Sequence, residues 1–157
     1  MVERTAHELS CLIDTLELTD GDPAFVQLGG PYSIVAKELS GKDYEAHHIP
    51  PQSTFDESLG KSLPTIAITK EDHSLTSSYR GRMGSKRGSF LPGGPSKQTH
   101  KSLILDALKD GYLAEMVRNE VYEFRRDYGT RYDGGLKQYI LSMIDYIKSS
   151  GIPNVRN

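Results

Sequence analysis

The sequence predicts an α+β fold in a single domain. Residues 44–49 and 63–69 are short runs between turn-forming Ser, Gly, Asp and Pro residues, as strands are. Apolar residues recur at helical spacing from 136 to 147, which indicates an amphipathic helix near the carboxyl end. A chain of 157 residues suits one hydrophobic core of modest size rather than two independent ones.

The first 28 residues form an acidic amino-terminal segment. Its apolar pattern predicts a short helix, followed by a turn at 20–23. The residues of this pattern are Leu9, Leu12, Ile13, Leu16 and Leu18. Residues 32–37 are predicted to form a further strand, separated from the strand at 44–49 by the turn residues Ser40–Asp43.

A short helix is predicted to begin after the strand at 63–69. Thr69 is the expected N-cap, because Asp72 follows three residues later in an arrangement that resembles a capping box. His73 then lies in the first turn of the helix, with Thr76 and Arg80 further along it. The prediction therefore places His73 close to the end of the strand at 63–69.

Residues 81–101 contain too many Gly and Pro residues for a regular element and predict a loop. No acidic residue occurs between His73 and Leu105, where six basic residues do. A phosphate-binding surface and a solvated basic loop both explain this pattern. Residues 102–150 form the helical part, with one helix at 102–127 and a second that begins near Asp133 and ends before Gly151.

Composition excludes several classes of protein. The single cysteine, Cys11, cannot form an internal disulfide and is expected to be a small buried residue. No apolar run approaches the about 20 residues that span a bilayer, and no secretion signal is expected at the amino terminus. The chain has no Gly-x-Ser-x-Gly motif, which argues against a serine hydrolase.

Three histidines carry the candidate chemistry. His47 and His48 end a predicted strand, where alternation turns their side chains to opposite faces. One imidazole can ligate a metal ion while its neighbour accepts a proton from water, although two surface histidines near a turn would look the same. His73 lies 25 residues after His48, and a strand, a return strand and a helix can bring them together. With the basic loop, this set has the parts that phosphodiester hydrolysis requires.

The residues around these histidines resemble the HNH/endonuclease VII superfamily of nuclease toxin domains. The Ala-His-His sequence is similar to one subset of them, the AHH-like domains. The similarity covers roughly residues 29–148. Its motifs are Ala46-His47-His48 with Pro50 and Ser53, the strand Pro64–Ile68, Asp72-His73 with Thr76 and Ser78, Gly29–Ser33, Tyr128–Asp133 and Lys137-Gln138.

This resemblance implies a ββα-metal (His-Me finger) core at 29–80, with flanking C-terminal helices. It implies that His47 ligates a divalent metal, that His48 is the general base and that His73 is a second ligand. HNH enzymes carry another histidine one turn later, where this chain has Ser77. Oxygen ligands such as Asp72 therefore make Mg²⁺ the expected ion, with Zn²⁺ or Ni²⁺ as alternatives, although Asp72 also suits a purely capping role.

The sequence thus predicts a single nuclease domain, 1–157, that cleaves DNA as an antibacterial toxin effector. Expected contacts to substrate are Thr76, Ser78, Arg80, Arg82, Lys86 and Arg87. The resemblance also implies a cognate immunity protein and release from a larger secreted or injected toxin that acts in the target-cell cytoplasm. The alternatives are an RNase toxin and a non-catalytic domain that binds nucleic acid or a structural metal ion.

Overall fold

The computed structural model describes residues 2–49, 62–74 and 113–153. A small antiparallel sheet and surrounding helices make up this part of the chain, which confirms the α+β class. No helix within it is long and apolar enough to cross a membrane. The elements in chain order are α1 (Val2–Thr15), β1 (Gly29–Pro31), α2 (Tyr32–Glu38), β2 (Tyr44–His48), β3 (Pro64–Thr69), α3 (Lys70–Ser74), α4 (Leu113–Tyr128) and α5 (Asp133–Ser150).

The sheet has the strand order β1-β3-β2, so the histidine strand β2 lies at one edge. Both neighbouring pairs are antiparallel, and in the second pair His47 lies opposite Ile66 and His48 opposite Thr65. Ile66 belongs to the main core, which α1, α4 and α5 complete. Ala67, on the other face, packs against α2. The two faces of β2 therefore have different neighbours.

The predicted strand at 32–37 is wrong, since these residues form helix α2. Val35 and Leu39 lie one helical turn apart, and both bury against the sheet. Pro31 immediately before the helix, with φ at −56°, ends the edge strand and starts the turn. Strand pairing falls instead on Gly29–Pro31.

Most other predicted elements are confirmed. Helix α1 buries the expected Leu9 and Leu12, and α5 buries its whole predicted apolar pattern. The described part of the predicted helix at 102–127 is helical from Leu113 onward. The Asp72 backbone N–H donates to Thr69 Oγ1 at 3.1 Å, as the predicted N-cap requires. Cys11 was expected to be buried and is exposed instead.

Strand β1 lies directly against the first turns of α5. A Cβ added to Gly29 would be 2.4 Å from the Gly135 carbonyl oxygen and 2.6 Å from the Tyr139 nitrogen, and both are backbone atoms that cannot yield. The amide of Gly29 also donates to Gln138 Oε1 at 3.0 Å. Close backbone approach therefore fixes the edge of the sheet on the helix.

Gly29→Ala is expected to lower the free energy of unfolding by about 3 kcal/mol, because the added methyl forces β1 away from α5. Urea denaturation measures the change. Gly41→Ala is the control, since it has open space around it and meets only the strain of a φ of +78°, which costs about 1 kcal/mol. Equal losses for the two variants would show that β1 and α5 are not in close contact.

Candidate functional site

One face of the sheet brings Glu45, His47 and His73 together. Glu45 and His47 are two residues apart on β2 and share a face, while α3 follows β3 without a loop. Tyr44 pairs with Thr69, so the start of β2 lies beside the start of α3. As a result His73 Nδ1 donates a hydrogen bond to Glu45 Oε2, and the rings of His47 and His73 meet at 5.1 Å between centroids. These three residues are called the histidine cluster below.

The contact with Glu45 fixes which nitrogen of His73 carries hydrogen. A carboxylate only accepts, so the Nδ1 of His73 must be the donor in this pair. In a neutral ring Nε2 then has the lone pair that a metal ion or a proton requires. A carboxylate on one nitrogen of a histidine is also the usual partner of a histidine that binds metal through the other.

His47 is held in its neutral form. Its side chain is buried between the His73 ring and Phe124, whose ring stacks at 6.4 Å. Burial first, and then the positive charge that His73 and His48 can carry, hold the pKa of His47 well below its usual 6.5. His47 therefore keeps a lone pair at neutral pH, which is the form that ligates a metal ion.

His48 lies on the opposite face of the sheet from the histidine cluster. Its ring stacks on Tyr32, the first residue of α2, with centroids 5.2 Å apart and planes 19° apart. This agrees with the alternation expected for adjacent strand residues. The structure therefore brings together two of the three predicted catalytic histidines, and places the third at the end of the same edge strand.

Asp72 is anchored to the carboxyl-terminal helices. Its carboxylate accepts hydrogen bonds from Arg131 Nη1 at 2.9 Å and from the Tyr132 hydroxyl. Burial, and then the hydrogen bond to Asp72, raise the pKa of Tyr132 to about 12. The phenol therefore stays protonated at neutral pH and is the hydrogen-bond donor in its contact with Asp72. These contacts favour a structural role for Asp72 over the metal ligation that was the other expectation.

The predicted substrate contacts lie outside the described residues. This applies to the whole set of Thr76, Ser78, Arg80, Arg82, Lys86 and Arg87, and to the basic loop at 81–101. The grip on a nucleic-acid backbone therefore remains a prediction from the sequence.

The donors and the spacing of the histidine cluster bear on whether it can hold a metal ion. Two imidazoles that bind one ion through nitrogens at about 2.1 Å have ring centres about 5 Å apart. The centres of His47 and His73 are 5.1 Å apart, and His47 is neutral. Within the part of the chain that the structure describes, no three His, Cys, Asp or Glu side chains form a ready-made metal-holding group. This ring spacing is compatible with two imidazoles on one ion, and equally with the T-shaped ring contact that the two histidines make. An ion held there would need water or substrate oxygens as its other ligands.

Sequence reasoning missed Glu45, Tyr32 and the anchors of Asp72. Alternation carried the signal for Glu45, since a residue two before His47 shares its face. Arg131 and Tyr132 are about 60 residues from Asp72, and no local pattern links such positions.

No protein-family model, curated protein or solved structure gives a significant match to this chain.

Proposed function

We propose that this protein is a metal-dependent endonuclease that hydrolyses phosphodiester bonds of DNA. The observation that supports the proposal most is the meeting of His47 and His73 on one face of the sheet, with Glu45 bonded to His73. A neutral buried imidazole beside a second imidazole that a carboxylate orients is a typical arrangement for holding a divalent ion. The order strand, strand, helix around it agrees with the ββα-metal core that the resemblance implies.

His47 and His73 would hold the metal ion in this proposal. When bound, the ion supplies charge stabilisation at the scissile phosphate and at the leaving oxygen. The sequence favours Mg²⁺ through its oxygen donors, while two imidazole nitrogens also suit Mn²⁺, Ni²⁺ and Zn²⁺. Glu45 orients His73 by accepting the hydrogen bond from Nδ1.

His48 is the proposed general base, which takes a proton from the attacking water. An imidazole is suited to this step near neutral pH. His48 directly follows His47 at the end of β2, and its ring stacks on Tyr32. The basic residues at 80–87 would bind phosphates on either side of the scissile bond.

The biological setting is proposed from the resemblance. A domain of this type would act as an antibacterial toxin effector, carried by a larger secreted or injected protein and blocked in the producing cell by an immunity protein. The acid-free basic segment after His73 supports nucleic acid as the substrate.

A non-catalytic role is the second candidate, and one observation favours it. His47 has only 8% of its surface exposed and packs on Phe124, as a histidine that merely completes a core or a structural metal site would. Such a domain would bind nucleic acid or metal without turnover. An RNase is the third candidate, because phosphate contacts alone do not distinguish DNA from RNA.

Cleavage of supercoiled plasmid tests the proposal. Wild type is expected to nick DNA with a divalent ion and to stop in EDTA, leaving 5′-phosphate ends. His48→Ala should cut at least about 100-fold more slowly, because proton transfer by a positioned base contributes that much. Mg²⁺, Mn²⁺, Ni²⁺ and Zn²⁺ are compared, with RNA as a parallel substrate.

His7→Ala is the matched control, since His7 is an exposed histidine of α1, away from the sheet. It should cut like wild type. Binding of DNA by wild type without cleavage in any metal would overturn the nuclease proposal in favour of the binding domain. Metal-independent cleavage of RNA alone would establish an RNase instead.

A further inference from the structure

Helix α3 begins at Lys70, directly after β3, and its first turn carries His73. The Thr69 cap satisfies only one of the amide groups at the start of the helix. The Lys70 N–H donates to the Asp43 carbonyl oxygen at 3.1 Å. Further contacts from elsewhere in the fold reach the same turn.

Three side-chain donors from elsewhere in the fold meet at one residue of this turn, Asp72. The Tyr128 hydroxyl donates to the Asp72 carbonyl oxygen at 2.7 Å. Arg131 and the Tyr132 hydroxyl both donate to its carboxylate. The Tyr132 oxygen also accepts the Thr69 N–H at 3.2 Å, so one phenol spans the junction between β3 and α3.

All three donors belong to one stretch, Tyr128–Tyr132, that joins α4 to α5. The Tyr132 side chain is fully buried, and its ring makes contacts with Phe25, Phe124 and Tyr128. Phe124 in turn stacks on His47. Phe124 and Tyr132, whose rings touch each other, therefore contact both parts of the histidine cluster: Phe124 packs on His47 of β2, and Tyr132 holds α3, which carries His73.

The anchor does more than cap a helix. Thr69 already provides the N-cap bond, so the bonds to the Asp72 side chain are additional. Asp72 immediately precedes His73. Successive side chains of a helix point in fixed directions relative to each other, so holding the Asp72 side chain also sets the direction of His73. His73 must face β2 for its Nδ1 to reach Glu45. A small rotation of α3 would break that contact.

We propose that Asp72, Arg131 and Tyr132 are positioning residues that orient His73 toward Glu45 and His47. The proposal rests on the proposed function, because the site that they orient is the proposed metal site. Asp72 then serves the reaction through His73 and is not itself a metal ligand. The proposal gives the Tyr128–Tyr132 stretch a role in the site, although no local sequence pattern predicts its contacts with Asp72.

Two variants test the proposal, Tyr132→Phe and Asp72→Asn. Tyr132→Phe removes the hydroxyl that donates to the Asp72 carboxylate, and Asp72→Asn removes the negative charge that pairs with Arg131. Both keep the shape of the side chain. Tyr44→Phe is the matched control, since it also removes a tyrosine hydroxyl that accepts a backbone N–H, from Val26 at 3.2 Å. Tyr44 faces the α2 side of the sheet, away from the histidine cluster.

The first readout is the hydrogen position on His73 in metal-free protein, from long-range ¹⁵N spectra at mildly alkaline pH. Wild type and Tyr44→Phe should show hydrogen on Nδ1, whereas both anchor variants should show an average of the two neutral forms. The second readout is Mn²⁺ affinity at a temperature where every variant is folded. It should fall about 10- to 100-fold in the anchor variants alone. The double variant should lose little more than either single one, because both act through one contact.

Each outcome decides the proposal. An unchanged His73 spectrum and unchanged Mn²⁺ affinity in both anchor variants would show that the anchor only stabilises the fold. Hydrogen on Nε2 in wild type would overturn the proposal as well. A wild type that neither binds Mn²⁺ nor cuts DNA, with an averaged His73 in the anchor variants, would end the nuclease proposal and leave the positioning role standing.

Discussion

His73→Ala is expected to abolish metal-dependent cleavage. Its kcat/KM for DNA should fall by about 10³-fold or more, because losing one of two protein ligands removes several kcal/mol of charge stabilisation at the phosphate. Single-turnover cleavage of a labelled DNA duplex, with enzyme in excess, measures the loss. Mn²⁺ titration of the same variant should show weaker binding.

The structure offers one control and one variant of intermediate effect. Ser74→Ala changes the next residue of α3, whose hydroxyl donates to the Glu71 carbonyl oxygen and does not touch the histidine cluster, so it should cut like wild type. Glu45→Gln keeps an oxygen that can accept from His73 Nδ1 but removes the charge, and should lose about 10-fold. Cleavage by His73→Ala within about 3-fold of wild type would exclude the metal role of His73, since that difference amounts to less than 1 kcal/mol.

Asp133→Asn is expected to destabilise the fold more than any surface substitution. The Asp133 side chain is fully buried, and its two oxygens accept from Arg125 Nε and Nη2, each at 3.0 Å. The Thr19 backbone N–H and hydroxyl donate to the same carboxylate at 2.9 and 3.1 Å. Removing the charge leaves Arg125 uncompensated and costs about 3 kcal/mol, at the low end for buried pairs because Arg125 is 22% exposed.

Chemical denaturation at neutral pH measures that loss. Asp20→Ala is the matched control, because it breaks another ion pair to α5, between Asp20 and Lys137 at 2.9 Å, but the Asp20 side chain is fully exposed. That variant should unfold close to wild type. Equal losses from both substitutions would show that the Arg125–Asp133 pair is solvated in solution and does not hold the amino-terminal segment to α4 and α5.

The sequence predicts the elements whose signals are local. The apolar pattern of α5, the strands β2 and β3 and the Thr69 cap all follow from spacing within one element. The segment 32–37 is predicted as a strand but forms helix α2, because Val35 and Leu39 bury against the sheet, and this contact is not local in sequence. Tertiary contacts therefore determine that this segment is a helix and not a strand.

The site was predictable to a similar extent. Alternation predicts that His47 and His48 face opposite sides, and the strand–strand–helix order brings His73 back to His47. The anchor of Asp72 was not predictable, because Arg131 and Tyr132 reach it only through the packing of α4 and α5 on the sheet. From the sequence, capping is slightly favoured over metal ligation for Asp72, and the contacts with Arg131 and Tyr132 are not predicted.

The central claim is that His47 and His73 bind one divalent ion, and pulsed electron paramagnetic resonance of Mn²⁺ bound to the protein tests it most directly. With ¹⁵N-labelled histidine, wild type should show couplings from two directly bound imidazole nitrogens, and His73→Ala from one. Mn²⁺ that is bound without any histidine nitrogen, in a protein that is folded and binds DNA, would contradict the claim.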